Sequence, residues 1–253
     1  MSPAGARPGQ RTPAEGNKTK APTASRRHPA CARMHRRIHD APSFARNGNR
    51  SPPMPQPLDY YFVLNSPWSY LAARQLGGIV ERTGAELRLK PVQLPTLFAA
   101  TGGQLLRDRS PARQAYRLQE LARWSQWLGV PMHIQPAHFP VDESLAIGTV
   151  LAAVDAGFNA LPLTVALGKA LWTDNRNLAD DTVVRDALVA TLLPPELLDK
   201  ARAPGHADTL AANTEDAIRA NVFGVPTCVV GTEVFWGQDR LDFVERALGA
   251  EPD

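Results

Sequence analysis

The 253-residue chain is 43% hydrophobic and 21% charged, the balance of a folded domain rather than of a chain disordered throughout. It holds no run of ~18 apolar residues that could cross a membrane, no apolar signal core near its start, and only two cysteines, Cys31 and Cys228, too few for a disulfide framework or a cysteine-rich zinc site. Its net charge of +3 is the sum of a basic segment and an acidic body, so the body makes no general case for nucleic-acid binding.

Residues 1–56 hold 11 Lys/Arg against two acids, Glu15 and Asp40, with nine prolines and no apolar periodicity. Such a segment cannot bury enough surface to offset its ordering entropy and is expected to be disordered. Three origins are open: a basic tail for an acidic partner, a transit peptide, or an over-extended reading frame whose true start is Met54. The prolines argue against an amphipathic presequence, and the third origin is favoured. Residues 57–253 then hold 17 basic and 23 acidic residues.

Leu58 to Leu64 is rich in aromatic and aliphatic residues and predicts a buried strand. Ser66-Pro67 predicts a helix start, with Ser as N-cap and Pro at the first helical position. Trp68, Leu71, Ala72, Leu76, Ile79 and Val80 continue on helical spacing, and Gly84 ends the helix. Leu87 and Leu89 alternate with Arg88 and Lys90, so Glu86 to Val92 predicts a second strand. Strand, helix and strand in about 35 residues make a βαβ unit with a parallel pair.

From Pro95 to about Pro204 the pattern is helical. Ala115, Leu118, Leu121, Ala122, Trp124 and Leu128 form one apolar stripe, and Ile147, Val150, Leu151, Val154 and Phe158 another. Leu163, Leu167 and Leu171 form a third, and Val184, Leu188 and Leu192 a fourth. A helix follows from about His206 to Asn221. Pro226 to Val230 and Val234 to Trp236 then read as a hairpin around Gly231-Thr232, and Asp239 to Leu248 as a final helix. Without the helical block the order is β-α-β, then α-β-β-α. That is the thioredoxin fold, α/β in class, with a helical subdomain (95–204) inserted between its halves (57–94 and 205–250).

The junction after the first strand is where such a fold does its work. A redox member places a Cys-x-x-Cys pair there, its thiolate held by the helix N-terminus. This chain has Ser66-Pro67-Trp68-Ser69. A serine cannot cycle through a disulfide, and Cys228 lies on another strand, so disulfide exchange is excluded. The Ser66 hydroxyl has two readings: a plain helix cap, or a donor to a thiolate that another molecule supplies.

Phe223-Gly224-Val225-Pro226-Thr227 leads into a strand, and Pro226 sits where this fold holds a cis-proline. A cis bond there would turn the Val225 backbone outward to pair with a short peptide ligand. The alternative is an ordinary edge-strand proline. In Phe235-Trp236-Gly237-Gln238-Asp239-Arg240-Leu241, free N–H groups at the helix start suit a carboxylate, and Asp239 suits an ammonium group. The plainer reading has Asp239 capping its own helix.

These segments carry a resemblance. Tyr60-Tyr61-Phe62 through Ser66-Pro67-Trp68-Ser69-Tyr70-Leu71, Asn213-Thr214-Glu215 through Phe223-Gly224-Val225-Pro226-Thr227, and Phe235 to Leu241 resemble the 2-hydroxychromene-2-carboxylate isomerases. These stand with the kappa-class glutathione transferases among the DsbA-like thioredoxin-fold proteins. Arg113 to Leu118, Arg123-Trp124, His138 to Val141 and Asn177 to Asp180 are similar too, so the likeness spans about residues 57–250. It implies glutathione as a cofactor that is not consumed. By similarity, Ser66 would keep the glutathione sulfur as thiolate, with Pro67 and Trp68 beside it. Val225, ahead of Pro226, would pair with the cysteinyl backbone, and Gln238 and Asp239 would hold the γ-glutamyl end. The implied reaction interconverts 2-hydroxychromene-2-carboxylate and trans-o-hydroxybenzylidenepyruvate by reversible thiolate addition, bond rotation and elimination.

One departure concerns the loop after the second strand. Some members carry an asparagine there that holds glutathione, whereas this loop reads Thr101-Gly102-Gly103-Gln104-Leu105-Leu106-Arg107. Arg107, Arg109 and Arg113 are the candidates for the glycyl carboxylate, and sequence does not choose among them. Other polar residues have bland readings. His133 and His138 lack metal-site spacing, Asp142 and Glu143 read as solvated or capping, and Asp180-Asp181 as a cap for the helix at Thr182. Trp124, Trp127 and Trp172 read as core or cleft lining.

The first function expected is therefore the isomerase of aromatic catabolism, acting on a small aromatic molecule with no metal, nucleic-acid or membrane partner. The alternatives are a kappa-class glutathione transferase or peroxidase and a non-catalytic glutathione- or peptide-binding protein. A reducing cytoplasm suits the cysteine content, and a homodimer is implied by the resemblance alone.

Overall fold

The computed structural model describes residues 55–249, and the expectations for the basic segment and Cys31 lie outside them. The apolar run that opens the described part forms β1 (Pro57–Phe62), followed by α1 (Pro67–Thr83) and β2 (Glu86–Pro91). β1 and β2 pair in parallel, with Leu58 opposite Leu87 and Tyr60 opposite Leu89. Pro67 opens α1, and Gly84, in the left-handed region at φ 66°, closes it. On the other side of β1 lies antiparallel β3 (Thr227–Val230), and β4 (Glu233–Trp236) completes a hairpin with it. The sheet order is β2-β1-β3-β4.

Between β2 and the sheet's second half run α2 (Leu94–Thr101), α3 (Pro111–Trp127), α4 (Ser144–Asp155), α5 (Leu161–Trp172), α6 (Asp181–Ala190) and the short α7 (Leu197–Lys200). Then α8 (Gly205–Arg219) leads into β3. The final helical segment is split: a 3₁₀ turn at Gln238–Arg240 precedes α9 (Leu241–Ala247). This is the thioredoxin fold with its helical insertion, in the order that the sequence pattern predicts.

Helices cover both sheet faces, which is why β1 reads as an apolar run interrupted only by Asp59, whose Oδ2 lies 3.8 Å from Lys90 Nζ. The period of two still sorts its side chains. Leu58, Tyr60 and Phe62, with Cys228 and Val230 of β3, join a core built with α1, α4, α5 and α6. Tyr61 and Val63, with Val229, face a second core that contains Leu97 of α2 and Ala217 of α8. Trp172 of α5 is fully buried and donates its indole N–H to the Leu64 carbonyl at 2.9 Å. The insertion is thereby bonded to the loop that follows β1. Asp180 caps α6 as expected, accepting from the Thr182 N–H at 2.8 Å.

Several apolar expectations fail, Val154 and Phe158 of the second stripe, both exposed, among them. Trp127 is 81% exposed and Leu192 93% exposed. In α3 only Leu121 is buried, while Ala115 and Ala122 are exposed. Periodicity marks one face of a helix but does not say that another element covers it. Leu192 falls beyond the end of α6, at φ 58°, where the helical phase no longer holds.

α4 approaches the end of α7 closely at Gly148. A Cβ on Gly148 would lie 2.0 Å from the Ala201 carbonyl oxygen, which is backbone and cannot rotate away. Gly148→Ala is expected to cost about 1–3 kcal/mol by overpacking, read as a lower urea midpoint. An unchanged midpoint would refute the close approach.

Candidate functional site

The site is built at the turn from β1 into α1. Ser66 is the N-cap: its Oγ accepts from the Ser69 N–H at 3.2 Å. The residue is only 8% exposed. Capping uses a lone pair of the oxygen, so the hydroxyl proton remains available for donation. Behind it stands the positive end of a 17-residue helix.

Asn65, one residue earlier, fastens this turn to the insertion. Its Nδ2 donates to the Val141 carbonyl at 2.8 Å, and its Oδ1 accepts from the Val141 N–H at 3.0 Å. Its own N–H donates to Glu143 Oε2 at 2.7 Å. Glu143 does occupy the N-cap position of α4, as expected, but its side chain makes no capping bond there and, only partly exposed, serves the Asn65 N–H instead. Burial pushes its carboxyl up to about 7, against the lowering effect of the bonds from Asn65 and Leu64. Asp142 does behave as expected: it is exposed and accepts from the Ser144 N–H at 2.9 Å. Both acids border the cleft, and they differ in partner and exposure: Glu143 is partly exposed and takes the Asn65 N–H, whereas Asp142 is exposed and takes the Ser144 N–H.

Ser66, Pro67, Trp68 and Val225 line one cleft of about 1180 Å³, which Asn65 and Glu143 also border. The Val225–Pro226 peptide is cis. The backbone N–H and C=O of Val225 have no partner among the described residues. They form an open, strand-like edge on the cleft.

Pro226, Gln238 and Asp239 do not line the cleft. The Pro226 carbonyl accepts from the Gly237 N–H at 2.9 Å. Gln238 is 4% exposed, and its Oε1 accepts from Gln75 of α1 at 3.2 Å. Asp239 is exposed, with Oδ2 3.2 Å from Arg240 Nη1. The helix start expected at Gln238 is instead a three-residue turn, whose Arg240 N–H bonds to the Gly237 carbonyl.

Of the three candidate arginines, Arg107 and Arg109 border the cleft and Arg113 does not. Arg107 is exposed and 3.7 Å from Asp108. Arg109 Nε donates to the Gln104 carbonyl at 3.1 Å, and burial lowers its pKa, with Arg113 reinforcing the effect. Arg117, also on the cleft wall, is absent from the sequence-based candidates. Its Cζ lies 5.3 Å from the Phe139 ring centroid. Burial, with Arg109 adding repulsion, pulls its pKa down to about 10. His206 borders the cleft as well, with Nδ1 3.2 Å from the Ala201 carbonyl and Nε2 3.3 Å from Asp155 Oδ2.

None of Trp124, Trp127 and Trp172 lines the cleft. Cys228 is fully buried in β3, and burial pushes its thiol up to about 12, the behaviour of an inert core cysteine. Among the described residues no group of three or more His, Cys, Asp or Glu gathers to hold a metal ion. No helix among them is long and apolar enough to cross a membrane.

The DSBA-like thioredoxin domain matches residues 57–249. Over 200 residues the chain is 30% identical to a 2-hydroxychromene-2-carboxylate isomerase of Pseudomonas putida, covering 76% of this chain and 94% of that protein. It is 25% identical over 212 residues to glutathione S-transferase kappa 1 of Rattus norvegicus, covering 78% of this chain and 92% of the relative. A solved structure of a 2-hydroxychromene-2-carboxylate isomerase matches with a TM-score of 0.65 at 26% identity, over 76% of this chain and 94% of the other. With the fold, the serine-capped junction and these likenesses in agreement, the chain belongs to the DSBA-like thioredoxin domain family and is a relative of the 2-hydroxychromene-2-carboxylate isomerases.

Proposed function

We propose that this protein is a glutathione-dependent isomerase that interconverts 2-hydroxychromene-2-carboxylate and trans-o-hydroxybenzylidenepyruvate. The observation that carries the reading is the Ser66 hydroxyl. It borders the cleft at the positive end of α1, with its oxygen bonded by the Ser69 N–H and its proton free. A thiol–disulfide enzyme needs a cysteine at this place. A hydroxyl with a free proton instead suits the stabilisation of a thiolate carried in by another molecule. The cleft, at about 1180 Å³, exceeds the roughly 300–1,000 Å³ of a pocket for one small ligand. That leaves room for a thiol cofactor beside an aromatic acid.

The residues present fit glutathione. The open N–H and C=O of Val225 match the backbone of a cysteinyl residue. Ser66 would take the sulfur, and Pro67 and Trp68 would form the adjoining wall; exposed Asp239, outside the cleft wall, would serve the γ-glutamyl end, with buried Gln238 fixing that turn to α1 through Gln75. When bound, glutathione supplies a thiolate nucleophile that adds reversibly to the conjugated carbon chain and so permits rotation about a former double bond. The chain's own residues set the conditions for it. Ser66 and the α1 terminus stabilise negative charge on sulfur. The largely apolar cleft wall limits water and strengthens that interaction. Glu143, bordering the cleft and titrating near neutrality, is placed to hold or release a proton at the substrate oxygens. No base lies within hydrogen-bond reach of Ser66, so the serine stabilises a nucleophile and is not one itself.

The test follows the ultraviolet spectrum of 2-hydroxychromene-2-carboxylate with purified protein, with and without glutathione. Conversion is expected only with glutathione, and all of the thiol is expected to be recovered. Glutathione conjugation of chlorodinitrobenzene with no isomerisation would assign the protein to transferase chemistry. Glutathione binding with turnover of neither compound would make it a binding protein.

A further inference from the structure

Arg117 is a partly buried cation with no counter-ion. The arginines on the outer surface mostly have acidic partners: Arg82 with Glu245, Arg88 with Glu86, Arg123 with Glu120, Arg176 with Asp186, and Arg202 with Asp181. Arg117 has none among the described residues, and neither has Arg109; their partners are the Phe139 ring and the Gln104 carbonyl respectively. Both border the cleft, where Arg109 adds its like charge to the burial of Arg117. Two like charges withdrawn from water are costly unless an anion pairs with them. An anion that arrives with a ligand would remove that cost.

The seat of Arg117 is also rigidly connected to the junction that carries Ser66. Its guanidinium lies over Phe139, and Phe139 packs on Trp172 at 5.1 Å between ring centroids. Trp172 is bonded to the Leu64 carbonyl, and Val141, two residues past Phe139, is bonded twice to Asn65. A carboxylate held by Arg117 is therefore held in fixed relation to Ser66. The planar guanidinium is suited to grip a carboxylate at two oxygens.

We propose that Arg117, supported by Arg109, is the specificity-determining residue of this cleft and receives the carboxylate of an aromatic acid substrate. The identity of that acid rests on the isomerase reading above; the need for an anion beside Arg117 does not. A second source of the same chemistry is the glycyl carboxylate of glutathione, and the experiment separates the two.

Full-length protein with glutathione present is titrated by calorimetry with trans-cinnamate and, separately, with cinnamamide, which lacks the charge. The parent is expected to prefer the acid by about 10- to 100-fold, the value of charge-assisted hydrogen bonds. Arg117→Met is expected to abolish that preference and Arg117→Lys to retain part of it, with the affinity for glutathione unchanged in both. Equal binding of acid and amide by the parent, or a preference that survives in Arg117→Met, overturns the proposal. Loss of glutathione affinity with the cinnamate preference intact also overturns it and gives Arg117 to the glycyl carboxylate. If Arg117→Met fails to fold by circular dichroism, the parent's acid–amide ratio and the Arg117→Lys variant decide. Should the preference behave as expected while hydroxychromene carboxylate is not turned over, the isomerase reading falls and the carboxylate seat stands.

Discussion

Ser66→Ala is expected to slow isomerisation by about 10- to 150-fold, because one charge-assisted hydrogen bond contributes ~1.5–3 kcal/mol. The pKa of enzyme-bound glutathione should rise with it, since the donor that favours the thiolate is gone. Alanine also removes the acceptor of the Ser69 N–H, and loss of an N-cap costs ~1 kcal/mol. A fall in activity alone therefore does not isolate the donor. Ser66→Asp does isolate it: aspartate caps a helix as well as serine, but at neutral pH it only accepts hydrogen bonds and would repel a thiolate. Ser66→Asp should keep the parent's unfolding midpoint and lose more activity than Ser66→Ala. Thiolate absorbance near 240 nm, titrated against pH with bound glutathione, reads the effect on sulfur directly. If both variants titrate and turn over like the parent, Ser66 is a cap and nothing more.

The strand-to-helix junction was legible because its signals are local. Ser66-Pro67 states a helix start through capping and a fixed φ, and Gly84 states its end. The parallel and antiparallel pairs around β1 followed from order and loop length, since a βαβ unit and a tight hairpin leave little topological choice. Val225 was legible for a similar reason, as its position depends only on the proline that follows it.

Arg117, Glu143 and the role of Asn65 were not legible. Arg117 looks like any solvent-facing arginine on an amphipathic helix until α3 is placed along a cleft. Glu143 and Asp142 are neighbours of the same chemistry, and only the bond from the Asn65 N–H, 78 positions away, distinguishes them. Asn65 before Ser-Pro reads as turn chemistry, yet its carboxamide binds the backbone of Val141 in the insertion. For Glu143 and Asn65 the deciding partner belongs to the other half of the fold. A sequence pattern reports what a segment can do, and long-range pairing decides which of those things it does.

Glu143→Gln is expected to remove a pH dependence of stability between about pH 4.5 and 7, and to make the protein more stable than the parent above that range. Burial raises the Glu143 carboxyl from 4.5 to about 7, so within this window the native state holds a proton that the unfolded chain has released. The stability linked to this group is complete below pH 4.5, falls as pH rises, and is lost above about 7. A change of that size corresponds to at most ~3–4 kcal/mol, and partial exposure to water in the cleft reduces it. The carboxylates held below their ordinary range, Asp142 by Ser144, Asp216 by Lys90, Glu245 by Arg82, Glu86 by Arg88 and Glu120 by Arg123, act with the opposite sign and at lower pH. The two effects are therefore separable in one titration. Glutamine keeps an oxygen for the Asn65 N–H and carries no charge to desolvate, whereas Glu143→Ala strands that N–H and should cost ~1–3 kcal/mol at every pH. Urea unfolding of parent and variants at pH 5, 6, 7 and 8 measures the difference; a parent curve that is flat, or that rises with pH, would mean that Glu143 is ionised throughout. The same variant tests the proton assigned to Glu143 in turnover: Glu143→Gln should lose the step in the pH–rate profile near 7 while glutathione affinity stays unchanged, because glutamine keeps the oxygen that holds the Asn65 N–H and Glu143 makes no bond to Val225.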